Sequence, residues 1–267
     1  MTKDFEKQVM EFIEQLKKDW KKDWKEDKKE DEDPSNFFNP WRDSDKKHDF
    51  DESSPQKRCC NLYKYLKERE DAKYILIAEA PGYQGCHFSG IPMTSERLIL
   101  TNNAYGLEGL ERTSDYREQN NKLAEAKIYT TKYPNGRNIA KTVIKNGFAE
   151  PTATIVWKQM VDELDIKPTD FVLWNAFPFH PYNAKYGYLS NRKPADNELE
   201  LTKEILVNFL DMFTKKELIC CIGNVSQVFL ANLKNGKYKD LCKDKEVRHP
   251  ANGGANYFRN GIQALIP

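Results

Sequence analysis

The sequence predicts a three-layer α/β/α sandwich around a central, mainly parallel four-stranded sheet. Three observations predict it. Four short apolar runs, YILIAEA (74–80), FVLWNAF (171–177), LICCIG (218–223) and EVRHP (246–250), have the continuous apolar character of strands covered on both faces. Helical patterns alternate with these runs, as in a sheet built from parallel crossovers. Each run also ends in a polar or turn residue (Glu79, Asn175, Gly223, His249), at the edge where open α/β sheets bind their ligands.

The elements follow in chain order. Residues 4–32 are expected to form a helix, because Phe5, Val9, Phe12, Ile13, Leu16 and Trp20 recur at a spacing of three or four. Its end, KEDKKEDEDP, is almost pure charge and reads as a solvated helix end stopped by Pro34. Residues 33–58 are rich in Asp, Ser, Asn and Pro and read as an irregular connector, with Phe37, Phe38 and Trp41 as anchors that can dock on the body. This divides the chain into a charged N-terminal extension and connector, 1–58, and a body, 59–267. The body opens with a short helix at LYKYLKERE. The pattern TATIVWKQMVDEL (152–164) reads as the helix before the second strand. DNELELTKEILVNFLDMF (196–213) precedes the third, with Asp196 as the expected N-cap, and SQVFLANL (226–233) follows it. Residues 102–150 are polar and irregular in pattern, and their length implies helix that periodicity does not locate.

Composition narrows the function classes. The chain carries 42 Lys+Arg against 41 Asp+Glu over 267 residues. Residues 1–58 hold 14 basic and 17 acidic residues, a net of −3, which leaves the body 28 against 24, or +4. A mildly basic body is compatible with a nucleic-acid partner without requiring one. No apolar run reaches about 18 residues, so no membrane helix is expected, and MTKDFEKQVMEF lacks the apolar stretch of a signal peptide. The six cysteines form no C-x-x-C pair, which argues against a zinc ribbon or a cluster of usual spacing. Cys220 and Cys221 sit in an apolar run and read as core thiols, so a reducing cytoplasm is the expected compartment.

The chemistry-bearing residues fall in three groups. The first is Ala78-Glu79-Ala80-Pro81-Gly82, continuing through GYQGCHFSGIPMTSE. The second is WNAFPFHP (174–181) with LSNRKP (189–194). The third is RHPANGG (248–254). In this order, each after a strand, they resemble the motifs of the uracil-DNA glycosylase superfamily, over roughly residues 59–267. The first resembles the G-E-A-P-G form found in several branches, and the last resembles the family's His-Pro motif. The resemblance implies an enzyme that flips a base out of DNA and hydrolyses its N-glycosidic bond, most simply uracil, leaving an abasic site for repair. It implies no metal and no cofactor, DNA as the partner, and a monomer. His249 would donate to the oxygen of the departing base. Glu79 would orient water or favour the sugar cation. Asn175 would read the base edge, since one amide offers a donor and an acceptor together. Ala80, Gly82, Tyr83 and Met93 would line the base pocket. Ser190, Arg192 and Arg248 would contact the DNA backbone, with Ala251, Asn252 and Gly253 at the loop that enters the duplex.

The chain departs from the pattern in two places. The best-known branch has an aspartate at the position of Ala80, and the family usually has a phenylalanine at the position of Met93. A flexible thioether admits a base other than uracil, so a glycosylase for a modified or deaminated base, in foreign DNA for example, is the alternative within the same chemistry. The missing aspartate motivates a different class, a catalytically silent DNA-binding module on the same fold.

Overall fold

The computed structural model describes residues 1–22, 36–101, 105–115, 141–231, 233–242 and 247–266. Its elements, in chain order, are α1 (Lys3–Leu16), β1 (Phe37–Phe38), α2 (Ser54–Lys67), β2 (Tyr74–Ala78), α3 (Cys86–Ser89), α4 (Glu96–Thr101), α5 (Lys141–Asn146), α6 (Pro151–Trp157), β3 (Phe171–Asn175), β4 (His180–Pro181), α7 (Asp196–Leu201), α8 (Lys203–Met212), β5 (Leu218–Cys221), α9 (Asn224–Ala231) and α10 (Ala255–Leu265). A π-helical turn, Lys158–Glu163, prolongs α6, and a 3-10 turn, Leu233–Gly236, follows α9.

The core is a parallel sheet of order β3-β2-β5. Tyr74 through Ala78 pair in register with Phe171 through Asn175, and Tyr74 through Ile77 with Leu218 through Cys221. Every residue of β3 and β5 is buried, as a sheet covered on both faces requires. The two faces can be told apart from β3 itself, because side chains alternate along a strand. Trp174 stacks on Phe209 of α8 at 4.4 Å and meets Phe12 of α1 edge-on at 5.2 Å. Phe171, of opposite parity, packs on Trp157 of α6 at 5.1 Å. Helices therefore cover both faces, and the α/β sandwich is the observed class.

Several details differ from the expectation. The first strand stops at Ala78, so Glu79 and Ala80 lie beyond it. For the fourth run, EVRHP, Val247 makes a parallel bridge to Ile222 and Cys242, just upstream, makes another to Ile219; residues 243–246 lie outside the described residues, and Pro250 has no N–H to continue a ladder. Among the described residues the sheet thus has three strands, with two isolated parallel bridges, at Cys242 and Val247, beside β5. Helix α1 ends at Leu16, where the Asn39 amide donates to the Leu16 carbonyl (2.6 Å); the charged segment 23–35 lies outside the described residues. The single helix expected over 196–213 is broken at Thr202, whose hydroxyl bonds back to the Glu198 carbonyl. Asp196 is not the N-cap but the first helical residue; Ala195 holds the cap position, and its N–H donates to the Glu198 carboxylate at 2.7 Å.

The connector is built into the molecule. Phe37, Phe38 and Trp41 are buried, as anchors should be, and Phe37–Phe38 pair antiparallel with His180–Pro181. The Trp41 indole donates to the Gly90 carbonyl at 3.0 Å. Arg58 of α2, fully buried, pairs with Asp49 at 2.6 Å and donates to the Pro40 and Asp43 carbonyls. The apolar stripe of α1 joins the same core as the sheet. Among the described residues no helix is long and apolar enough to cross a membrane.

Candidate functional site

The sheet topology brings three of the expected residues to one edge. Ala78 pairs with Asn175, and just past it the Phe177 N–H donates to the Glu79 carbonyl at 3.0 Å. On the other side of β2, β5 ends at Gly223, whose N–H donates to the Val247 carbonyl at 2.8 Å. Gly223 has φ +89, and a Cβ on it would lie 3.7 Å from the His249 Cβ. Asn175, Glu79, Gly223 and His249 therefore follow one another along the C-terminal edge, on adjacent chain segments.

His249 is held in a defined state. The Ala251 N–H points at its Nδ1 (3.2 Å), so Nδ1 accepts and the proton of the neutral ring sits on Nε2. Burial pushes its pKa down, which keeps the ring neutral at pH 7. The result is a neutral imidazole with an Nε2–H to donate. The loop behind it reverses through Asn252 (φ +52) and Gly253 (φ +79), closed by the Gly254 N–H to the Ala251 carbonyl at 3.0 Å. Positive φ at both central residues is what a type I′ turn needs. Gly254 is obligatory for a separate reason: a Cβ there would fall 2.1 Å from the His249 carbonyl oxygen. Asn252 and Gly253 are exposed at the loop tip, and Arg248 is exposed with its guanidinium 5.6 Å from the ring of Tyr257, itself 68% exposed.

Asn175 is 1% exposed, and neither its Oδ1 nor its Nδ2 has a hydrogen-bond partner among the described residues. A buried amide with both ends unmatched costs free energy and calls for an explanation. It shares its sheet face with Phe171 and hence with Trp157, whose indole donates to Thr94 Oγ1 at 3.0 Å. Thr94 follows Met93, which is buried and held at φ +48, an unfavourable conformation for a side chain of its size. Asn175 and the Met93 turn thus lie on the same side of the sheet.

Glu79 is half-buried. Burial pushes its carboxyl up, while Lys193 nearby opposes the shift. Ala80 packs against the core. Gly82 lies under Asn191, whose amide nitrogen would be 3.3 Å from a Cβ, and the Tyr83 N–H donates to Asn191 Oδ1 at 3.0 Å. The Tyr83 ring meets Phe148 edge-on at 5.4 Å, within a small cluster of Phe88, Val143, Phe148 and Leu189.

Two expected DNA contacts are engaged inside the protein. The Ser190 hydroxyl donates to the Gly187 carbonyl (2.6 Å) and accepts from the Asn183 N–H (3.0 Å). Arg192 grips Glu198 with two bonds of 2.6 Å and donates to the carbonyls of Tyr182, Lys193 and Asn36. A phosphate at Arg192 would have to compete with a buried carboxylate.

Sequence reasoning gave Asn191, within LSNRKP, no role of its own and missed Glu150. Glu150 precedes Pro151 at the start of α6 and fills the space a side chain on Gly85 would need, 2.3 Å from that Cβ position. Its Oε2 is buried without a partner among the described residues, and burial pushes the carboxyl up to about 7. The signal available was Pro151, a helix-start residue directly before the helix expected over 152–164. Among the described residues no group of three or more His, Cys, Asp or Glu is arranged to hold a metal ion.

Fold and edge together define an α/β sandwich with polar groups gathered beyond the C-terminal ends of parallel strands. The crystal structure of wild-type Pedobacter heparinus SMUG2 has this fold: it superposes with a TM-score of 0.56 over 98% of this chain and 97% of that one, at 13% sequence identity. No family model matches the chain, and no curated protein matches it.

Proposed function

We propose that the protein is a monofunctional DNA glycosylase that flips a base, uracil in the first instance, and hydrolyses its N-glycosidic bond. The carrying observation is Asn175, a buried amide with both ends unpaired, on the sheet edge that also holds a neutral His249 with its Nε2–H available. The shared fold with SMUG2, a DNA glycosylase, supports the class of reaction. Asn175 has the donor and acceptor to pair with the O4 and N3–H of uracil. As the bond breaks, the base departs as an anion and the sugar becomes cationic. The His249 Nε2–H stabilises the anion, and Glu79 faces the sugar, favouring its charge and orienting the water. The base reaches this edge only after leaving the stack. Arg248 and the Asn252–Gly253 tip would meet the DNA, with Ser190 and Arg192 shaping the neighbouring loop. Met93, buried and conformationally fixed, forms a thioether wall where a ring is usual, which favours a modified pyrimidine as the second reading.

The test is a uracil-containing oligonucleotide, single- and double-stranded, treated with the protein and then with hot alkali. Strand cleavage is expected, with free uracil detected by mass spectrometry. Binding without release of any base from uracil-containing or naturally modified DNA would replace the enzyme by a silent binding module.

A further inference from the structure

Three of the chain's 4 histidines lie away from His249. His48, His87 and His180 are buried in one hydrogen-bonded row with Asp45. His180 Nε2 faces the Ser190 carbonyl at 2.8 Å and Asn191 Oδ1 at 3.1 Å. A carbonyl only accepts, so His180 Nε2 carries a proton. His180 Nδ1 lies 2.8 Å from His87 Nδ1, a contact that requires one proton between two nitrogens. His87 Nε2 lies 3.3 Å from Asp45 Oδ2. Asp45 also accepts from His48 Nδ1 at 2.6 Å and from the Lys47 N–H at 3.1 Å. Burial pushes the Asp45 carboxyl up, but the bonds from His48 and His87 outweigh it and hold the group ionised. His87 Nε2 must then be protonated as well. Two rings thus hold three protons.

From this count we infer that His87 and His180 form a proton-sharing pair with a net charge of +1, matched by Asp45, and that the pair is a positioning device for the turn after Glu79. The chain of contacts runs from Asp45 through His87 and His180 to Asn191, and from Asn191 to the Tyr83 N–H. It ties the connector to both loops of the proposed site. The charge resides on His87, which faces Asp45 and stacks on Phe38 at 3.9 Å, a ring able to face a cation. The other charged groups nearby, Asp49 and Arg58, neutralise each other at 2.6 Å, and the phenols Tyr182 and Tyr188 are uncharged neighbours. Burial pushes both rings down, His180 furthest, which leaves His180 as the neutral partner. Raising the pH removes the shared charge and leaves His87 Nε2 and the Asp45 carboxylate lone pair to lone pair.

The inference about the site rests on the glycosylase reading, but the proton count does not. Nitrogen NMR of the full chain labelled at histidine nitrogens, at pH 7, should show three protonated nitrogens across His87 and His180, with one proton at low field. Two protonated nitrogens would overturn the pair, and this measurement needs no variant. In His180→Phe and His87→Asn, exchange of the Tyr83 amide should quicken about fivefold, the scale of one hydrogen bond, with Ile77 inside the sheet unchanged. Unchanged Tyr83 exchange in folded variants would overturn the positioning role. Base release by His87→Asn should fall about tenfold in kcat at constant KM; full turnover with a loosened Tyr83 would also overturn it. Absence of base release from the parent protein, with the NMR result as expected, would sink the glycosylase reading alone.

Discussion

Glu79 and Glu198 stand in opposite circumstances. Glu198 is buried, yet its carboxylate takes two short bonds from Arg192 and a third from the Ala195 N–H. Glu79 is half-buried at the end of β2, and its carboxylate makes no hydrogen bond among the described residues while burial pushes its pKa up. The same contrast separates Asn39, whose amide closes α1 and receives the Trp41 N–H, from Asn175, whose amide bonds to nothing among the described residues. Saturated polar groups hold this fold together. Among the unsaturated ones, Asn175 and Glu79 lie together at one edge of the sheet.

The largest effect should come from that edge. His249→Ala is expected to lower base release at least about 100-fold, and Asn175→Ala should lower it strongly while moving stability by no more than about 1 kcal/mol. Oligonucleotide cleavage and denaturant melts measure the two. A matched loss of stability in Asn175→Ala would place that amide among the saturated groups and erase the contrast. On the other side, Glu198→Ala should cost about 3 kcal/mol, because it strands the partly buried Arg192. If melts show no change, the Arg192 clamp is not structural and its phosphate role regains ground.

Glu150 sharpens the comparison through pH. Its carboxyl, at about 7 in the fold against an ordinary value of 4.5, is favoured by the native state only when protonated. Its contribution to stability is therefore present below about 4.5, is lost as pH rises toward 7 and is flat above. Glu150→Gln should remove that decline, making the variant more stable than the parent at pH 8 and no more stable at pH 4. The smallest effect is expected at the exposed rim. Arg248→Ala should weaken DNA binding modestly and reduce the salt slope by about one phosphate contact, measured by titration at several salt concentrations.

How much of this was legible follows the same line. β2, β3 and β5 were readable because burial on both faces leaves continuous apolar runs, and the edge residues were readable because those runs end abruptly at Glu79, Asn175 and Gly223. The fourth run is seen only in part among the described residues: Val247 and, upstream of the run, Cys242 each bridge to the β5 side, and Pro250 and the turn behind His249 end the pairing. The break at Thr202 escaped the pattern because the apolar spacing runs through it. Asp45, His87, His180 and Asn191 are scattered over almost 150 positions, and no periodicity links residues that only tertiary folding brings together. The Arg192–Glu198 clamp escaped the pattern for a similar reason: Glu198 sits six residues on, across the helix start expected at Asp196.

Helix α1 has a practical consequence for anyone who would shorten the chain. Its Phe12 covers Trp174, the residue next to Asn175, and the connector's Trp41 stacks on the same indole from 5.7 Å. Cutting before residue 59 would therefore do more than remove a charged leader. It would strip the roof from the strand that carries Asn175, so a trimmed protein that lost activity would say nothing about whether the missing residues touch DNA.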